Sequence, residues 1–170
     1  MKKYKLTSEK VRSFCGRTLY RIQALRSFSD VKKGDLGGFV ESEENLSHNG
    51  NAWIYDEAWV YEKAMVLGNG KVRGHARVHD LAWVYGEAEV CDHAQVHHFT
   101  KVYENAKICD HAQVGGNAIV HGNARICDYA QVHANAEVFG DVEVGLHSEV
   151  TGNAIVCSLG NRVGSVWLEE

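Results

Sequence analysis

From Gly50 to Cys157 the chain divides into eighteen consecutive six-residue units without one insertion. The fifth position is Val or Ile in all eighteen, and the third is Ala in fourteen, the exceptions being Gly70, Thr100, Val142 and Ser148. The first position is Gly or Asp in thirteen units, and the second is Asn in seven and His in four. Positions three and five lie two apart, so both side chains point to one face of a short strand while position four points outward. Positions six, one and two hold the Gly, Asp and Asn that tolerate left-handed backbone angles and mark a corner. A repeat of six cannot keep one helical face apolar over such a length, because a helix needs a period near 3.6. The spacing predicts a prism-shaped parallel β-solenoid.

The coil length is also written in the chain. CDHAQV at 91–96, CDHAQV at 109–114 and CDYAQV at 127–132 repeat at an interval of three hexads. Three hexads per coil gives six coils and a prism about 29 Å long at about 4.8 Å per coil. Gln95, Gln113 and Gln131 should form one column, and Cys91, Cys109 and Cys127 another.

The chain has 170 residues, 45% apolar and 24% charged, enough to bury a core as one ordinary globular protein. The longest apolar stretches fall well short of the roughly 20 residues a membrane helix needs. The opening MKKYKLTSEK lacks the apolar core of a signal peptide. Five cysteines in such a chain are expected to be reduced thiols, which implies a cytoplasmic location, or host cytoplasm if a phage encodes it. Residues 1–33 carry ten Lys/Arg against Glu9 and Asp30, whereas the remainder is strongly acidic. A basic head is expected to dock on the acidic body.

Residues 1–49 do not repeat and are expected to cap the prism, whose top would otherwise expose strand edges. KYKL at 3–6 and TLYRIQAL at 18–25 read as strands, and VKKGDLGG at 31–38 as a turn-rich link. Trp53, Trp59, Met65 and Trp83 all fall at outward positions, so the head should fold over them. Residues 158–170 leave the register at Arg162 and, with Val166 and Trp167, should close the base.

The repeat resembles the hexapeptide-repeat left-handed β-helix, and its handedness is implied by that resemblance. The fold class is therefore all-β: a single-stranded left-handed parallel β-helix of about six coils with a non-repeat N-terminal β cap. The opening KYKL, the run RIQALRSFSDVKKGDLGGFVESEENLS and GNAWIYDEA are similar to the N-terminal block of the YdcK-like family. That family comprises bacterial β-helix proteins labelled acyltransferases, with relatives in phages and mobile elements. The wider hexapeptide acyltransferases bind the pantetheine of CoA between neighbouring prisms, use a His base, and add a protruding loop. No such loop interrupts residues 50–157.

The sharpest irregularity is HHFT at 97–100, which sets His98, Phe99 and Thr100 where Gly/Asp, Asn/His and Ala are usual. Asp80 stands one coil earlier and is expected to orient the His98 ring and raise its basicity, the pair forming the candidate catalytic site. His79, His97, Phe99 and His121 are the ligand-cleft candidates. The second candidate is the corner Cys91, Asp92, His93 above Cys109, Asp110, His111, whose thiolate, imidazole and carboxylate groups are all zinc ligands. His93 and His98 have a spacing suggestive of a γ-class carbonic anhydrase, but Glu57 occupies the position expected of a third His.

The missing loop and incomplete ligand sets favour a non-catalytic binding or assembly module, one that holds a protein or small ligand and fits a phage-encoded host-interaction or anti-defence role. The alternatives are an acyl-CoA-dependent acyltransferase with a His base, and a metal-dependent γ-carbonic-anhydrase-like enzyme. No cofactor is fixed by the sequence; CoA and zinc are the two that would fit. The acidic prism argues against nucleic acid, and the shortness of the apolar stretches argues against a membrane. Met65, Trp83, Ile119 and Ile155 form an outward apolar stripe on one face, which predicts a homotrimer packed along it.

Overall fold

The computed structural model describes residues 2–159 and 162–167. Positions four and five of the hexads form two-residue strands, each parallel to its counterparts one coil away, as in Gln95–Gln113–Gln131. Three such sheets make the three walls of the expected parallel β-helix. Positions three and five fill its axis: Ala112 and Val114 in mid-prism are fully buried. Alternating a small and a β-branched residue keeps that axis narrow and dry.

The corners are built by position one. From Gly50 to Gly152 every first position has φ between 52° and 79°. For residues other than Gly that geometry is costly, and the acidic ones recover part of the cost through a bond to the next coil. The Asp92 carboxylate accepts the Asp110 amide at 3.3 Å, Asp110 accepts the Asp128 amide at 3.2 Å, and Asp128 accepts the Leu146 amide at 2.7 Å. Stacked aspartates are thus neutralised by N–H dipoles a full coil on, not by the local turn bond such residues usually make.

The stacking begins before the perfect repeat. Strand β1 (Tyr4–Arg12) pairs antiparallel with β2 (Thr18–Ala24), and β2 pairs antiparallel with β3 (Leu36–Val40). β3 then runs parallel to Trp59–Val60 and is the first rung of its wall. Leu46 bridges to Val66 as the first rung of the next wall. The prism therefore has about seven turns instead of six, and residues 36–49 belong to its stack as well as to its cap. Part of the expected link at 31–38 is strand. Gly38 permits this, because a Cβ there would overlap the Ala58 carbonyl oxygen.

The basic head docks on the acidic body. Arg17 bridges Glu41 at 2.7 Å and Glu62 at 3.1 Å, and Arg21 bridges Glu57 at 2.8 Å while lying over the Phe39 ring. The head covers Trp53 completely and Trp59 in part, but leaves Trp83 41% exposed. The expectation that it shields all the outward aromatics fails at Trp83, one coil beyond its reach. At the base, Arg162–Trp167 turns back antiparallel onto Ile155–Leu159. Whether Val166 and Trp167 close the base lies outside the described side chains. Among the described residues no helix is long and apolar enough to cross a membrane.

Lys3 plugs the top of the prism. Its buried Nζ donates to the Ala52 carbonyl at 2.6 Å. Burial, and then the charge of Arg26, lower its pKa from 10.5 to about 8. Between those two values the unfolded chain binds more protons than the folded one, so this residue's contribution to stability rises with pH across that window. In urea unfolding at pH 7.5 and about pH 9.5, wild type should therefore gain stability relative to Lys3→Met. A relative loss would contradict the burial of a charged ammonium.

Candidate functional site

The HHFT irregularity sits on the corner between two walls. His98 takes the left-handed conformation of every first position, with φ of 58°. That bend turns its ring back towards its neighbour: the His97 and His98 rings lie 4.6 Å apart, with Nδ1 to Nδ1 at 2.5 Å. His97 stacks on His79 at 5.4 Å, and His79 stacks on Tyr61 at 5.0 Å. One coil on, Gly115 makes the space for this, since a Cβ there would overlap the His97 ring.

Burial, reinforced by His79 and His98, holds His97 down to about 4. Burial also lowers His79, against the opposing pull of Asp80 and Glu62. Both rings are consequently neutral near pH 7. His98 is exposed.

Asp80 does not do what its position suggested. Its Oδ2 accepts the backbone amide of His98 at 2.9 Å and lies 3.3 Å from His79 Nδ1. It continues a rail in which Glu41 accepts the Glu62 amide at 2.7 Å and Glu62 accepts the Asp80 amide at 2.9 Å. The group in contact with the His98 ring is His97, which the sequence reading had placed only as a neighbour. Adjacent histidines at positions six and one, with Gly one coil later, were the available signal. Thr100 is fully buried, and its hydroxyl is spent donating to the His97 carbonyl at 2.7 Å.

Two grooves flank this corner. One, of about 510 Å³, is walled by Leu81, Trp83, Phe99 and Ile119 together with Asn117 and with Lys101, the rung between Trp83 and Ile119. The other, of about 480 Å³, lies between the head and the prism and is lined mostly by residues with polar or charged ends, Arg17, Glu41, Ser42, Glu62, Lys63 and Asp80, with Leu81. Leu81 is common to both. Phe99, 59% exposed, is a wall of the apolar groove. His121 is not part of this site. It stacks between Tyr103 and Phe139 on another corner, its Nε2 held 3.0 Å from Glu137.

The Cys-Asp-His corner separates into two columns. Cys91, Cys109 and Cys127 form a buried cluster, with Asp92 beside Cys91 and Cys109. His93 and His111 stack instead in their own column with His75 and Tyr129, at 4.9 to 5.0 Å between rings. The six residues therefore do not converge. Burial, with hydrogen bonding to Asp92, pushes the Cys91 thiol far up, and burial pushes Cys109 up to about 11, which disfavours the thiolate a metal requires. His93 and His98 occupy different corners, so their sequence spacing does not form a ligand pair.

No family model matches the chain. It is 36% identical over 83 residues to the protein named uncharacterized acetyltransferase YdcK of Escherichia coli (strain K12), a match covering 44% of this chain and 25% of that protein. Its fold is similar to that of the acetyltransferase domain of PglB from Neisseria gonorrhoeae FA1090, with a TM-score of 0.53 and 11% identity over 71% of this chain and 54% of that one. The same domain in complex with acetyl coenzyme A gives a TM-score of 0.52 and 12% identity, over 72% of this chain and 55% of that one. The chain thus spans about a quarter of the length of the curated relative and about half of the solved domain. The expected resemblance to the YdcK-like hexapeptide-repeat proteins is borne out. The expectation of a non-catalytic module is overturned by the same matches, which are to proteins named acetyltransferases.

Proposed function

We propose that this chain is an acetyl-CoA-dependent acetyltransferase in which His98 is the general base. The observation that carries the reading is an exposed imidazole whose Nδ1 is tied to a half-buried, neutral partner and whose chain neighbour, Phe99, walls an apolar groove. If His98 Nδ1–H donates to His97 Nδ1, the lone pair on His98 Nε2 is left free. The acceptor's hydroxyl or amine would lose its proton to that nitrogen as it attacks the thioester carbonyl. The resulting imidazolium keeps its bond to His97, which stabilises the charge as it forms. As the tetrahedral intermediate collapses, CoA leaves as the thiol, taking that proton back from His98 Nε2 and restoring the neutral base.

The groove fits an acyl-CoA arm chemically. Leu81, Trp83, Phe99 and Ile119 offer apolar wall, Asn117 an amide partner and Lys101 a cation for phosphate. The groove on the other side of Leu81 would take the acceptor. There the head supplies Arg17, Glu41 and Ser42, a wall that the wider class takes from an inserted loop. The test is calorimetric titration with acetyl-CoA. Ile119→Asp should weaken binding at least about tenfold by placing a carboxylate in the apolar wall. Equal binding by the variant would remove this groove from the reading.

The apolar stripe of Met65, Trp83, Ile119 and Ile155 remains partly exposed in the single chain. A homotrimer packed along it would bury the stripe and close the groove between neighbouring prisms. Light scattering should then give a mass about three times the 18.9 kDa of one chain. A monomer at tens of micromolar would contradict it.

A further inference from the structure

We propose that the corner formed by Asp80, His97 and His98 binds one divalent first-row transition metal ion. Each of the three residues offers a ligand atom, and the three atoms lie within 4.8 Å of one another. Consecutive side chains usually diverge, but the left-handed turn at His98 aims both Nδ1 atoms at one point, 2.5 Å apart. That is shorter than the roughly 2.7–3.2 Å usual for a hydrogen bond from an N–H donor. Small ring rotations would open it to the separation that two bonds of about 2.0–2.1 Å to one tetrahedral ion require.

Two imidazoles and a carboxylate suit zinc, cobalt or nickel and not magnesium or calcium. Three protein ligands leave a fourth position free. His79 Nδ1, 3.3 Å from Asp80 Oδ2, is placed to orient the carboxylate from outside, as outer-shell partners of metal ligands do. The inference does not rest on the transferase reading, and it constrains that reading. A metal on His98 Nδ1 displaces the proton that the base mechanism keeps there, so an occupied site would silence the base.

Cobalt(II) alone, titrated into the full chain without CoA, tests this through its visible d–d absorption. The expected result is saturation at one ion per chain, with affinity reduced at least about tenfold in His98→Ala and in Asp80→Asn. His98→Ala should fold, because Ala134 already occupies the same hexad position with φ of 60°; circular dichroism checks this. Cys109→Ser should bind as wild type does. Three results would each overturn the proposal: no absorption band at millimolar cobalt, equal binding by wild type and His98→Ala, or binding lost in Cys109→Ser and kept in His98→Ala. The last would move the site to the thiol column. Each outcome is read without turnover, so it stands apart from success or failure of the transferase assay.

Discussion

Replacement of Trp53 by alanine should cost about 3–5 kcal/mol in chemical unfolding. Position four of a hexad points outward, yet Trp53 is only 1% exposed. The head buries it: Phe28 lies edge-on at 5.5 Å and Tyr4 at 6.2 Å between ring centroids. Truncation would leave a cavity between head and prism that the flanking strands cannot easily fill, since Gly37 already packs against the indole. Trp83→Ala is the matched control. It occupies the equivalent hexad position on another wall and is 41% exposed, so its loss should cost under about 1 kcal/mol in the isolated chain. A small effect at Trp53 would mean that the head is not seated on the prism.

His98→Ala should lower turnover of acetyl-CoA by about 10²-fold or more, with little change in KM for the donor. Asp80→Asn should cost less than about tenfold, because the carboxylate holds the His98 amide and not the ring. The non-additive partner is His97. His97→Ala should slow turnover through the loss of its bond to the His98 ring, and the double variant should be no slower than His98→Ala alone. Additive losses would show two independent contributions and break the pairing.

The walls of the prism were legible because position five never departs from Val or Ile and position three seldom departs from Ala. The first turn was not. Val40 and Leu46 keep the spacing of six, but Glu44 stands where Ala is usual and two extra residues separate Leu46 from Ile54. A 3-10 turn at Glu43–Asn45 replaces the strand there, and the Asn45 amide donates to the Glu62 and Ala64 carbonyls in its place.

At the site, the residue types were legible and their pairing was not. The sequence places Asp80 one coil below His98, and the natural inference joins carboxylate to ring. Left-handed first positions instead aim each acidic side chain at the next coil's amide, a regularity that emerges only when all the corners are seen together. The same conformation folds His98 back onto His97, a contact between sequence neighbours that strand alternation would forbid. The apolar groove was half legible: Trp83 and Ile119 fell on one outward face and Phe99 stood apart at a corner, and only the stacking of coils brings the three to one surface.

The most direct test of the account is thiol release from acetyl-CoA, measured for wild type and His98→Ala against a panel of amine and hydroxyl acceptors. The account predicts acceptor-dependent release above the blank in wild type, falling by about 10²-fold or more in the variant. Release that persists undiminished in His98→Ala, or none from a wild type that binds acetyl-CoA, would contradict it.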